Sequence, residues 1–78
     1  METYLDIIRV LSAGEQGPTH IMYKANLSWL VLQEYLKKLE GLGLIEGGMV
    51  DERRIYKITQ KGFDLLRQYL SMRENLIQ

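Results

Sequence analysis

The chain contains no cysteine. That excludes disulfide cross-links, cysteine-based zinc sites and a thiol nucleophile together. Its single histidine, His20, has no partner ring for a metal site. Apolar runs never exceed a few residues, so no segment is long enough to span a membrane. The N-terminus lacks the basic start and apolar block of a secretion signal, and the expected location is the cytoplasm. Neither sign of charge is in excess: ten basic and ten acidic residues give a formal net charge of zero. Proteins that bind nucleic acid usually carry a basic surplus, because neutralising phosphates supplies most of their non-specific affinity. Any such role here must rest on segregated charge. There is also no Ser-His-Asp spacing and no glycine-rich phosphate cradle. The neighbouring carboxylates Asp51 and Glu52 point apart in extended chain. Neither an enzyme nor a cofactor is expected.

What is present is 78 residues, 46% of them hydrophobic. This suits one small globular domain, residues 1–78, with a modest core. Thr3 can cap a first helix, with Asp6 three residues on. Tyr4, Ile7, Ile8 and Leu11 follow on one face. Gly14 stops it, and Pro18 suits the entrance to a short second helix over about Thr19 to Ala25. Asn26 tolerates the left-handed backbone that ends such a helix. Ser28 is the natural N-cap of a third helix over roughly Trp29 to Gly41, with Leu27 packing on Leu32 as a staple. Leu32, Tyr35, Leu36 and Leu39 form its buried seam, with Trp29 at the edge. The link between these two helices is as short as in a helix-turn-helix.

Gly41 and Gly43 mark a switch to extended chain. Strands are expected from Leu44 to about Gly47 and from Arg54 to Ile58, where Tyr56 and Ile58 alternate with Lys57. The span Gly47 to Arg53 reads as the loop between them, with Gly47-Gly48 supplying turn freedom. Thr59 caps a last helix, residues 59–78. It carries two apolar stripes roughly 120° apart: Phe63, Leu66, Leu70 and Ile77 on one, Leu65, Tyr69, Met72 and Leu76 on the other. A domain this small can bury one stripe, which leaves the second for a dimer interface or for the off-stripe residues Leu5 and Val10 of the first helix. The fold class is α+β, mostly α: three helices, a two-stranded hairpin wing and a long C-terminal helix.

The charge is segregated. Four basic residues and no acid lie between Arg53 and Lys61, and no acid lies between Gln16 and Gln33. Arg53, Arg54 and Lys57 are therefore candidate phosphate contacts, unless Asp51 or Glu52 pairs with an arginine. Lys61 could instead rest on its own helix. Lys37 and Lys38 lie off the third helix's seam, and Glu34 is spaced to pair with Lys38. Lys24 and His20 belong to the second helix.

The pattern IMYKANLS..L..YL..L...GLI....YKIT.KG, Ile21 to Gly62, resembles an archaeal winged helix-turn-helix family. The resemblance implies a small regulator of transcription, or a chromatin protein, that binds double-stranded DNA. The third helix would lie in the major groove and the wing along the backbone or minor groove. Some relatives dimerise through a long C-terminal helix. On this reading Lys24, Ser28, Gln33, Lys37, Lys38, Arg53, Arg54 and Lys57 face DNA, and Leu65, Tyr69, Met72 and Leu76 form the dimer interface. Where the family places polar or basic residues, this chain has Leu30, Val31, Gln33 and Glu34. Gln33 can pair with adenine and Leu30 or Val31 can meet a thymine methyl, while Glu34 is repelled by phosphate unless it accepts from cytosine. Leu30 and Val31 also allow a different outcome, a protein-interaction module with little or no DNA binding.

Overall fold

The computed structural model describes the backbone of residues 2–77 and the side-chain burial of residues 4–74. In chain order the elements are α1 (Glu2–Ser12), α2 (Pro18–Ala25), α3 (Trp29–Gly41), β1 (Ile45–Val50), β2 (Arg53–Ile58) and α4 (Gln60–Ile77). α1 is already helical at Glu2, so Thr3 lies inside the helix and not ahead of it. Ile7, Ile8 and Leu11 of α1 meet Ile21 of α2 and Leu32, Leu36 and Leu39 of α3 in the core. The rings of Tyr4 and Tyr35 stack at 4.5 Å and join α1 to α3.

Both helices of the helix-turn-helix end in the same device. Asn26 adopts φ 55°, ψ 52°, and the Leu27 amide donates to the Met22 carbonyl at 3.1 Å. Past α3, Gly43 takes φ 75° and the Leu44 amide donates to the Leu39 carbonyl at 3.0 Å. Each is a Schellman closure, in which one left-handed residue lets the following amide reach back five residues to an orphan carbonyl. Gly41, expected to help stop α3, is its last helical residue, and Gly43 supplies the turn. Ser28 caps the start of α3 as expected, its hydroxyl accepting from the Val31 amide at 3.3 Å.

The wing is tighter than the sequence suggests. β1 and β2 pair from Ile45↔Ile58 to Val50↔Arg53, leaving only Asp51 and Glu52 to turn the chain. Their φ values, 50° and 65°, are those of a type I′ hairpin. Gly47 and Gly48 are therefore strand residues, not loop. The reason is space: a Cβ on Gly47 would lie 2.9 Å from Glu40 Oε2 and 3.1 Å from the Tyr56 ring. Gln16, between α1 and α2, exchanges two backbone bonds with Tyr56, at 2.8 and 3.0 Å, and so holds the back edge of β2.

α4 is tied to the end of α3 at its first turn. Thr59 Oγ1 accepts from the Gly62 amide at 3.1 Å and donates to the Gly43 carbonyl at 2.6 Å. Lys61 Nζ donates to the Leu42 carbonyl at 2.8 Å, which draws it toward the end of α3. A Cβ on Gly62 would collide with the Leu44 carbonyl, so glycine is needed for the close approach of α4 to the segment that leads into β1. Leu66 is buried and Leu70 packs on the core, whereas Phe63, of the same stripe, is partly exposed. Ile77, at the end of that stripe, lies outside the residues whose side chains are described.

Candidate nucleic-acid interface

Cross-strand pairing sorts the wing residues onto two faces, because directly opposed residues point the same way. Arg54, Tyr56 and Ile58 share the inner face with Met49, Gly47 and Ile45; Arg53, Ile55 and Lys57 share the outer face with Val50, Gly48 and Glu46. The inner face meets α3. There Gln33, Leu36, Lys37 and Glu40 join Arg54 and Tyr56 around an open cleft of about 330 Å³. Helical spacing explains the first set: positions 33, 36, 37 and 40 fall on one side of α3.

Arg54 is the cation of this cleft that has a side-chain partner among the described residues. Its Nε donates to the Tyr56 hydroxyl at 2.9 Å, and its guanidinium carbon stands 5.5 Å from the centre of the same ring. Tyr56 is 3% exposed, so the ring that holds the arginine is itself fixed by the core. The hydrogen bond to Tyr56 pushes the Arg54 pKa above its ordinary, already high value, and the charge of Glu40 adds a smaller push. The remaining N–H groups of the guanidinium point at no protein acceptor among the described residues.

The eight sequence candidates do not form one patch. Gln33, Lys37 and Arg54 converge. Lys38 sits about 100° around α3 from Lys37 and lines a different groove, with Tyr4, Leu39 and Leu42. Lys57 lies on the outer face of the wing, where its ammonium stands 3.7 Å from Glu46. That exposed pair is worth at most about 1 kcal/mol. Arg53, exposed, shares the outer face at the wing tip. Lys24 is exposed in the last turn of α2. Ser28 is exposed but already spends its hydroxyl on capping. Neither the Glu34–Lys38 pair nor a pairing of the wing arginines with Asp51 or Glu52 forms; among the described residues the salt bridge is Lys57–Glu46.

Two features of the cleft escaped the sequence. Glu40 stands in its wall, although its seven-residue spacing from Gln33 places it there. Tyr56, expected only to alternate with Lys57 along its strand, also positions Arg54 through its hydroxyl. At the start of α3, Leu30 is 77% exposed, while Val31 is half-buried. These two do not make a joint apolar face.

On the far side, Leu65, Tyr69 and Met72 of α4 line an apolar groove of about 590 Å³ with Tyr4, Leu5 and Leu42. Leu65 and Met72 are 39% and 64% exposed. Leu76, expected in the same stripe, lies outside the residues whose side chains are described. Among the described residues, no helix is long and apolar enough to cross a membrane.

Comparison with known proteins gives a consistent picture. A family model described as winged helix-turn-helix matches residues 1–76. The structure is similar to that of Sso10a-2, a DNA-binding protein from Sulfolobus solfataricus, at 33% sequence identity and a TM-score of 0.79, covering 97% of this chain and 82% of that one. It is also similar to the transcriptional regulator BldR from Sulfolobus solfataricus (19% identity, TM-score 0.86, 97% of this chain and 57% of that one). A Lactococcus lactis ZitR variant in complex with DNA matches at 22% identity and a TM-score of 0.80, over 94% of this chain and 52% of that one. The last two likenesses concern the fold alone, and the chain spans little more than half of either protein. No curated protein matches the sequence.

Proposed function

The chain belongs to the winged helix-turn-helix family, and from that premise we propose that it is a small homodimeric regulator of transcription that binds double-stranded DNA, with some influence of sequence, in the cytoplasm. The observation that carries the reading is the cleft between α3 and the wing. It brings one amide side chain, Gln33, and two cations, Lys37 and Arg54, to a single edge beside one carboxylate, Glu40. A planar guanidinium held at one N–H by a buried tyrosine keeps its other donors for an oxygen of a phosphate. An amide beside it suits the edge of a base. The work is binding and positioning, with no chemical step.

A second subunit matters because one copy offers few cations. The apolar stripe of Leu65, Tyr69 and Met72 on α4, exposed at Leu65 and Met72, supports pairing through this helix. Dimerisation doubles the number of cleft cations presented to one duplex. DNA-binding by Sso10a-2, a relative at 33% identity over most of both chains, supports the same reading.

The test is fluorescence anisotropy of a labelled duplex at low salt. Wild type should bind, and Lys37→Ala and Arg54→Ala should each weaken binding, similarly for all sequences, as expected for backbone contacts. The opposing reading, a protein-interaction module, draws on the zero net charge, the exposed Leu30 and the acids Asp51 and Glu52 at the wing tip. It predicts no duplex binding at any salt concentration.

A further inference from the structure

Leu30 is the least explained side chain of α3. The leucines of its seam are buried almost completely, Leu32 at 0% and Leu36 and Leu39 at 1% exposure, yet Leu30 stands 77% exposed in the first turn. It has no role in the core, in the helix cap or in the α4 groove. We infer that Leu30 packs on the 5-methyl group of a thymine in the major groove while Gln33, one turn on, reads an adenine, so that α3 prefers duplex rich in A·T pairs. The inference rests on the DNA-binding reading above and adds the base class to it.

Position favours a base edge over the backbone. Leu30, Gln33 and Lys37 are spaced three and four apart and therefore run along one side of the helix. Lys37 and Arg54 hold the end of that side nearest the wing, where they suit phosphates. The other end carries Leu30. An aliphatic group gains nothing against a phosphate, so Leu30 disfavours backbone contact at the start of α3 and suits the apolar part of the groove floor.

Chemistry then names the group. The thymine methyl is the apolar feature that a base pair presents in the major groove, and adenine offers the N6 donor and N7 acceptor that a glutamine amide matches. The flanking cations Lys37 and Arg54 favour a polyanion over an apolar protein surface as the occupant of this face.

The experiment compares an alternating adenine–thymine duplex with the same duplex carrying uracil for thymine, which differs only in lacking the methyl groups. Wild type and Leu30→Ser are titrated against both by anisotropy at low salt. Burying one methyl group corresponds to about a fourfold change in affinity. Wild type should therefore bind the thymine duplex about fourfold tighter per methyl contacted, and Leu30→Ser should bind the two alike. At this exposure the substitution removes no core contact, and an unchanged thermal melt would establish that the variant is folded. Equal binding of both duplexes by wild type, or a thymine preference that survives in Leu30→Ser, overturns the inference and leaves the DNA-binding reading standing. Absence of binding to either duplex overturns both. Loss of a protein assembly in Leu30→Ser, with duplex binding unaltered, overturns it in favour of a protein partner.

Discussion

Glu52→Gly should stabilise the protein and strengthen its hold on DNA, and the two effects can be separated. Glu52 completes the wing turn at φ 65°, next to Asp51 at φ 50°. A residue with a Cβ pays roughly 1–2 kcal/mol for the left-handed region relative to the right-handed one. Glycine avoids that penalty but loses roughly 0.5–1 kcal/mol of extra backbone freedom on folding. The difference spans about 0–1.5 kcal/mol and centres on about 0.8 kcal/mol, which for a domain of this size raises the melting midpoint by about 3–6 °C. The same change removes a negative charge from the tip. A unit charge some ~10 Å from a phosphate, in water, is worth about a factor of two in affinity before screening. Glu52→Gln removes the charge and keeps the backbone strain, so it should raise affinity without raising the melt. Urea denaturation reads stability, with the midpoint shifting at constant slope, and anisotropy at low salt reads affinity. A lower midpoint for Glu52→Gly than for wild type would refute the argument for a strained type I′ tip. Unchanged affinity in both variants would place the tip away from any phosphate.

Other changes should act through equally local causes. Gly62→Ala sets a methyl group against the Leu44 carbonyl and should cost about 1–3 kcal/mol in urea denaturation, as overpacking does. Ser28→Ala removes the cap of α3 and should cost about 1 kcal/mol. Ser28→Asp should keep that stability in denaturation experiments yet weaken duplex binding in anisotropy, since it adds a negative charge beside the groove-facing helix. Leu65→Glu combined with Met72→Glu should shift the protein from dimer to monomer in sedimentation. An unaltered dimer would move the interface off the exposed stripe of α4.

Local chemistry made the helix-turn-helix legible. Asn26 and Ser28 end one helix and start the next using their own backbone tolerance and hydroxyl, so both sides of the turn follow from residues within it. Thr59 works the same way at the start of α4. The wing was harder because its glycines have a tertiary purpose. Gly47-Gly48 looks like a turn by composition, and only the approach of Tyr56 and Glu40 explains why it belongs to a strand. The turn instead falls on Asp51 and Glu52, whose left-handed backbone no propensity would select for glutamate. The cleft was half legible. Periodicity separates Gln33 and Lys37 from the seam, but adjacency in sequence suggested one patch for Lys37 and Lys38, which the helical turn divides. Strand alternation likewise divides Arg54 from Arg53 and Lys57 once the register is known.

The salt dependence of duplex binding decides whether the α3–wing cleft is the edge that meets DNA. Each phosphate neutralised contributes about 0.9 to the slope of log affinity against log salt concentration. Wild type should show a clear negative slope, and Arg54→Ala and Lys37→Ala should each reduce it by about 0.9 per subunit. Lys57→Ala and Lys38→Ala, whose side chains lie on other faces, should leave it unchanged. Equal losses from all four substitutions, or binding that does not respond to salt, would contradict the assignment of the α3–wing cleft as the DNA-binding edge.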